Sequence, residues 1–440
     1  MTEAAQYRWR VVRFREVLAT GVRNGIYKPV EYHGRGAQIV NMGELFAHPR
    51  LRAVPMRRID VDGTELDRFG LNELDLLFAR RSLVAEGAGK CSIVLEVNEP
   101  TVFESSIIRA RPNGDEADSL FLYYFWSSPV GAHLLDTIRR QVAVSGITGK
   151  DLEQLQIRIP PVEDQRAIAG VLGALDNKIE QNRRTAQALE RLARAIFRAW
   201  FVDFEPVKAK AVGATAFPSM PQPVFDALPT RLVDSAIGPV PEGWEVKALS
   251  SICTLVGGGT PKRSEAVYWD GDVPWYSVKD APGHGELWVI GTSERISANG
   301  LADSAARVVP KGCTIISARG TVGKLAMAGV PMAFNQSCYG LLPGDGKSFG
   351  HLNLLMQSVV ADLQQRTHGS VFDTITRATF DGLLVTSPRG EVVSTFESVV
   401  DPLLALLLAS VDESSKLAAM RAYLLPKLLS GDVQFEATHG

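Results

Sequence analysis

Pro160 to Phe204 reads PPVEDQRAIAGVLGALDNKIEQNRRTAQALERLARAIFRAWFVDF. Within it Ile168, Leu172, Leu175, Ile179, Asn182, Ala186, Leu189, Ala193, Ile196 and Trp200 recur in alternating steps of four and three. That is the rhythm of a helix packed lengthwise against a second helix. Pro160 and Pro161 suit its start, where a missing N–H costs nothing, and Glu163 and Asp164 suit the positive end of the helix dipole. Pro206 is expected to close it. A helix of about 40 residues is roughly 60 Å long, too long to bury its stripe inside one small domain. It needs a second rod.

Residues 391–432 supply one. Phe396, Val400, Leu403, Leu407, Leu417, Leu424 and Leu428 keep a similar register, softened in the middle by Ser410 and Ser414. Arg421 stands where an apolar residue is expected, and Met420 beside it offers a replacement. Pro402 either begins the main helix, capped by Asp401, or kinks it. Asn182 is either a polar seam residue that fixes register or a position tilted to solvent.

The chain preceding each rod follows one plan. Trp9, Val11, Phe14 and Val17 match Trp244, Val246, Leu249 and Ile252. Gly25 and Lys28 match Gly259 and Lys262. Leu76, Leu77, Phe78 and Arg81 match Thr314, Ile315, Ile316 and Arg319. Phe103 and Ser106 match Phe334 and Ser337, and Thr148, Leu152, Leu155, Ile157 and Pro160 match Thr376, Phe380, Leu383, Val385 and Pro388. Five weak matches in one order mark an internal duplication. Short β-branched and aromatic runs predict strands at Ile39–Val40, Leu74–Phe78, Ser92–Val97, Val102–Ile108, Thr314–Ser317 and Met332–Tyr339. Helical runs follow at Leu120–Trp126, Ala132–Arg140 and Leu352–Gln365. The fold class is therefore α+β: two pseudo-twofold-related mixed α/β domains separated by two long antiparallel helices packed as a coiled coil. The expected boundaries are a first domain at 1–160, a central helix at 161–205, a Pro-rich extended linker at 206–240, a second domain at 241–390 and a distal helix at 391–432.

With 440 residues, 45% hydrophobic and 22% charged, the chain has the composition of a soluble protein with two or three domains. Its net charge of −2 confines any nucleic-acid contact to a local basic patch. Cys91, Cys253, Cys313 and Cys338 lack paired spacing, which argues against disulfides and zinc and suits a cytoplasmic protein. Leu403–Ala409, the most apolar run, is too short to span a bilayer.

The sequence PPVEDQRAIAGVLGALDNKIEQNRR (160–184), with LARAIFRAWFVDFEPVKAKA (192–211), resembles the central conserved region of specificity subunits of type I restriction–modification systems. IGPVPEGWEV (237–246), TIISARGTVGKLAMA (314–328) and LAAMRAYLLPKLLSGDV (417–433) resemble the opening of their second recognition domain, a segment within it and their distal conserved region. The first copy departs from this pattern: it has only Trp9 at its opening and no RGTVGK after Leu76. The resemblance implies a subunit in which two target-recognition domains read the halves of a bipartite, asymmetric site on double-stranded DNA. It also implies helices that act as a ruler and dock two methyltransferase subunits, with motor-nuclease subunits joining later. S-adenosylmethionine, ATP and Mg²⁺ would then belong to those partners, and none to this chain.

No catalytic constellation is evident. Pro160–Pro161 lacks the Asn or Asp and the aromatic of an adenine-methyltransferase motif. Gly323–Lys324 and Gly89–Lys90 miss the P-loop pattern, and the histidines form no metal-binding spacing. The residues suited to DNA are Lys28, Arg80, Arg81 and Lys90 in the first copy, and Lys262, Lys279, Arg319, Gly320, Gly323, Lys324, Asn335 and Gln336 in the second. They sit at strand ends and glycine-rich turns, where cations reach phosphate and amides reach base edges. Phe197, Trp200, Phe201 and Phe204 are more aromatic surface than one helix partner needs; they either pack beneath the adjoining domain or dock a modification subunit. The competing reading of the whole chain is a protein-interaction scaffold that binds no DNA. A stand-alone restriction enzyme is disfavoured by the missing motifs.

Overall fold

The structure is a computed structural model that describes residues 9–82, 87–140, 145–283, 286–366 and 374–431. The chain forms two compact units, residues 1–178 with 416–440, and residues 179–415. The central helix, Val162–Phe201, and the distal helix, Gly390–Ser430, each run without a break and each contribute to both units.

The duplication extends to hydrogen-bond topology. In the first unit a five-stranded sheet has the order Leu18–Asn24, Ile107–Pro112, Leu76–Ala79, Cys91–Val94, Arg50–Leu51. In the second the order is Cys253–Gly257, Cys338–Pro343, Thr314–Ser317, Leu325–Ala328, Trp288–Val289. The outermost pair is parallel in both and the other pairs are antiparallel. A three-stranded sheet accompanies each, centred on His33–Val40 and on Trp269–Tyr276, with one antiparallel and one parallel neighbour. Even the bulge recurs: His33 and Ala37 both face Ile59, and Trp269 and Val273 both face Ile296. A last two-stranded pair, Arg10–Arg13 with Gln156–Ile159 and Glu245–Ala248 with Leu384–Ser387, brings the end of each domain back to its start, where the long helix leaves. The expected strands Val102–Ile108 and Met332–Tyr339 are each split by a turn, at Glu104–Ser106 and Asn335–Ser337.

The helices pair antiparallel within each unit. In the second, Asn182 Nδ2 donates to Glu413 Oε2 at 2.7 Å, while Phe396 packs edge-on to Trp200 at 5.7 Å between centroids. One position rises as the other falls, which is the antiparallel register. Asn182 is buried, so it belongs to the seam. Ile168, Leu172, Ile196, Trp200, Leu407 and Leu428 are buried as expected; Leu175, Ile179, Leu189, Leu403, Leu417 and Leu424 are half-buried.

Several expectations are corrected. Met420 does not replace Arg421: it is 51% exposed, and Arg421 itself reaches across to Asp176. Asp176 also accepts from the Tyr124 hydroxyl at 2.7 Å and lies 3.8 Å from Arg50. A carboxylate among three donors is cheaper to bury than a lone one. Pro402 starts nothing, because the distal helix begins twelve residues earlier at Gly390. That helix is long and apolar enough to cross a membrane by length and composition, although Leu403–Ala409 alone is not; here its apolar side meets the central helix.

The 206–240 segment is not an extended linker. The central helix ends at Phe201, Phe204 takes the left-handed conformation (φ 53°), and Pro206 opens a new helix, Glu205–Ala211. Pro223 opens another, Gln222–Ala227. Proline is tolerated in a first turn, and these prolines occupy first turns. Val207, Val224, Phe225 and Leu228 are buried against the second unit's core, and Lys210 Nζ donates to the carbonyls of Phe225, Asp226 and Leu228.

His351 lies in the same region, its ring 4.8 Å from that of Phe201 and 5.6 Å from that of Phe197. Burial holds its pKa down at about 4. The ring is neutral in the folded chain, whereas an unfolded histidine protonates near 6.5. Its contribution is therefore complete above pH 6.5 and is lost as pH falls toward 4, on the order of 3 kcal/mol. Glu397, whose Oε1 accepts from the His351 backbone N–H at 2.6 Å, is pushed up to about 8 by burial. It acts in the opposite sense, losing stability as pH rises from the ordinary carboxylate range to about 8. Comparing wild type with His351→Phe isolates the histidine. The variant should lose less stability than wild type between pH 6.5 and 4 in denaturant melts; parallel pH profiles would refute the assignment.

Candidate nucleic-acid interface

At one end of each five-stranded sheet, four strand ends meet. In the second unit these are the end of Cys253–Gly257, the start of Cys338–Pro343, the end of Thr314–Ser317 and the start of Leu325–Ala328. In the first they are the end of Leu18–Asn24, the start of Ile107–Pro112, the end of Leu76–Ala79 and the start of Cys91–Val94. Four of the eight cations expected to meet DNA are exposed on this platform. Arg319 and Lys324 are exposed on either side of the turn after Thr314–Ser317, and Arg81 and Lys90 are exposed at the matching places.

The equivalence can be read bond by bond. Ser317 N donates to Lys324 O at 2.9 Å, and Ala79 N to Lys90 O at 2.9 Å. Gly323 N donates to Ser317 O at 2.9 Å, and Gly89 N to Ala79 O at 2.8 Å. Gly323 (φ 82°) and Gly89 (φ 88°) both occupy the left-handed region that excludes most side chains. RGTVGK thus has a counterpart in the first copy, unreadable in sequence because three residues separate Arg319 from Gly323 while seven separate Arg81 from Gly89. Residues 83–86 of that longer loop lie outside the described residues.

The neighbouring turn, between Ala333–Phe334 and Cys338–Pro343, carries Asn335 and Gln336. Asn335 Oδ1 accepts from Ser337 N at 3.1 Å, and Gln336 contacts the Thr260 hydroxyl. Gly258 lies beneath: a Cβ there would sit 2.0 Å from Asn335 O. Its counterpart Gly25 would meet Glu104 O at 2.2 Å. The glycine matching Gly25 is therefore Gly258, one residue before the Gly259 that the sequence pairs with it.

The loop leaving Gly258 is held by aromatics that sequence reading missed. Trp275 Nε1 donates to Gly259 O at 2.9 Å, and Trp269 Nε1 to Lys262 O at 3.2 Å. The Arg263 guanidinium stacks 3.9 Å from the Trp269 ring centroid and pairs with Glu294, holding that carboxyl below the usual range. The alternation of Trp269 and Trp275 with polar residues was the available signal. Lys262 and Lys279 are exposed nearby, and Gly320 has positive φ within the Arg319 turn.

Two expected contacts are placed differently. Lys28 Nζ is 2.5 Å from Glu65, donates to Asp60 O and lies over the Tyr32 ring, so it braces its own domain. Arg80 is half-buried, its Nη1 donating to Ser105 O at 3.3 Å, with Ala318 as its counterpart. Phe197, Phe201 and Phe204 are buried rather than offered to a partner: Phe201 stacks near Trp244, His351 and Phe396, and Phe204 meets Trp244 edge-on. A helix end that carries its own domain has no aromatic surface to spare. Among the described residues no three His, Cys, Asp or Glu side chains are grouped to hold a metal.

The model of the type I restriction modification DNA specificity domain matches twice, over residues 65–191 and 241–390. The chain belongs to this family. It is a specificity subunit, with two DNA-specificity domains, and the duplicated platform is the structural form of that repeat. The HindI specificity subunit of Haemophilus influenzae is 28% identical over 65% of this chain and 71% of its own length. The putative MjaX specificity subunit of Methanocaldococcus jannaschii is 21% identical across 97% of this chain and 94% of its own. A solved S subunit from M. genitalium shares the fold at 14% identity, with a TM-score of 0.61 over 96% of each chain.

Proposed function

We propose that each platform reads one half of a bipartite, asymmetric DNA site, and that the chain delivers this specificity to partners that carry the chemistry. The observation behind this reading is the doubled platform: one backbone, with exposed cations at equivalent places, Arg319 and Lys324 against Arg81 and Lys90. The helices suit the docking of two methyltransferase subunits, with motor-nuclease subunits joining the assembly; S-adenosylmethionine, ATP and Mg²⁺ would be used there, in the cytoplasm.

The test is binding of the full chain, alone and with its modification partner, to a pool of duplexes across a salt series. Sequence-selective binding is expected. Replacing Arg319 and Lys324 together by alanine should reduce the slope of log K against log salt by about 2, near one counterion per phosphate contact. Lys28→Ala should leave that slope unchanged, since its charge is spent on Glu65. Absence of selective binding, or equal slopes for all three proteins, would sink the proposal and favour a scaffold.

A further inference from the structure

The turns Asn335–Ser337 and Glu104–Ser106 are built on one backbone. Asn335 N donates to Tyr276 O at 3.0 Å, and Glu104 N to Val40 O at 3.0 Å. Cys338 N donates to Asn335 O at 3.1 Å, and Ile107 N to Glu104 O at 3.0 Å. Ala318 N donates to Ser337 O at 2.7 Å, and Arg80 N to Ser106 O at 2.8 Å. Gly259 N donates to Phe334 O and Ile26 N to Phe103 O, both at 2.9 Å. Gly258 and Gly25 let the neighbouring strand end approach each turn. Phe334 and Phe103 precede the turns as buried anchors.

Against this constancy, the side chains on the turns invert their chemistry. Asn335 spends Oδ1 on the Ser337 N–H, which fixes the amide so that Nδ2 is the remaining group. No protein acceptor among the described residues takes it. Glu104 spends Oε1 on the Met42 N–H at 2.7 Å, which leaves Oε2, and no donor among the described residues fills it. Both side chains are half-buried, held from behind and open on the other side. A purely structural turn residue would be free to stay the same in both copies. Here the scaffold is kept and the polarity of the remaining hydrogen-bonding atom is reversed, a donor in one copy and an acceptor in the other.

We propose that Asn335 and Glu104 are specificity-determining residues of opposite hydrogen-bond polarity, one for each half of the DNA target. This rests on the DNA-reading function above. The Asn335 amide suits an acceptor on a base edge, namely guanine O6 or N7, adenine N7 or thymine O4. The Glu104 carboxylate suits an amino group, cytosine N4 or adenine N6. A carboxylate is repelled by phosphate, so an open Glu104 on a DNA-facing platform fits a base edge better than the backbone.

The experiment uses two nearly isosteric substitutions in the full chain with its modification partner. Asn335→Asp keeps Oδ1 for the Ser337 N–H and turns the remaining donor into an acceptor. Glu104→Gln keeps Oε1 for the Met42 N–H and turns the remaining acceptor into a donor. Wild type is first selected against duplexes with randomised bases; if it selects nothing, the DNA-reading function itself fails and the substitutions are not at issue. Given a wild-type site, each substitution should change the preferred base by about fivefold or more at one or two positions of one half-site only. The other half-site should be read as before. A uniform loss of affinity with preferences unchanged would make these residues backbone or structural contacts and overturn the proposal, as would unchanged preference at full affinity. Melting curves matching wild type exclude misfolding as the source of a loss, and Gln336→Ala, a neighbour that leaves both anchoring bonds intact, provides a second reading of the same turn.

Discussion

Trp200→Ala is expected to destabilise the second unit by about 3–5 kcal/mol, the range for deleting a large buried ring. Trp200 is 1% exposed. Its ring lies 6.1 Å from that of Phe201 and 5.7 Å from that of Phe396, at the crossing of the central helix, the distal helix and the recognition domain they carry. The indole N–H is buried with no partner among the described residues, so the side chain serves through its volume and not through a hydrogen bond. In urea, with a slope of about 2 kcal/mol per molar, the transition of residues 179–415 should move down by roughly 1.5–2.5 M. Pulse proteolysis that resolves this unit would show it. Leu192→Ala, on the exposed side of the same helix, should shift the transition little, within about 0.5 kcal/mol. If Trp200→Ala behaved like Leu192→Ala and weakened only partner binding, the aromatic cluster would be a docking surface after all.

Asp176→Ala should cost the first unit about 3–5 kcal/mol, because it strips the partner from buried donors. Asp176 is 6% exposed and is approached by Arg421, Arg50 and the Tyr124 hydroxyl. Without it, Tyr124 loses its acceptor, and Arg50, whose buried Nε has no partner among the described residues, is left with its bond to the Asn177 side chain. Asp176→Asn retains an oxygen for Tyr124 and should cost clearly less. Arg421→Ala should also cost less, since that side chain is 41% exposed in the ion pair. Chemical denaturation of the three variants would rank them; equal effects of Asp176→Ala and Arg421→Ala would show that the helix pair alone, and not the three-donor cluster, sets the energy. By the match of Pro160 to Pro388, Leu404 occupies the place of Asp176 in the second copy, and it is buried in that unit's apolar core. The ionic cluster is thus a property of one unit, not of the repeat.

The seam shows where sequence reading succeeds and where it stops. Leu172 and Leu407 are legible because a helix repeats its face every three to four residues, and that period is a local property. Arg421 is on the seam by the same count, yet nothing local says whether a charge there is tolerated. The answer is Asp176, some 245 residues away. Phe197, Phe201 and Phe204 pose the same problem: their apolar character is evident, but whether it faces this chain or another is decided by Trp244, His351 and Phe396. The 206–240 segment looks extended by its proline content, but Pro206 and Pro223 stand in first turns and begin helices.

By itself, then, the amino-acid sequence determined the long paired helices, the duplication and the family, since periodicity and ordered repeats survive in one dimension. The tertiary structure alone decided that Gly258 rather than Gly259 answers Gly25, that the first copy keeps the Lys324 turn in lengthened form, and that Asn335 and Glu104 share a place with opposite chemistry. Those facts depend on backbone hydrogen bonds and close approaches between strands far apart in the chain, which constrain geometry without constraining which residue types spell it.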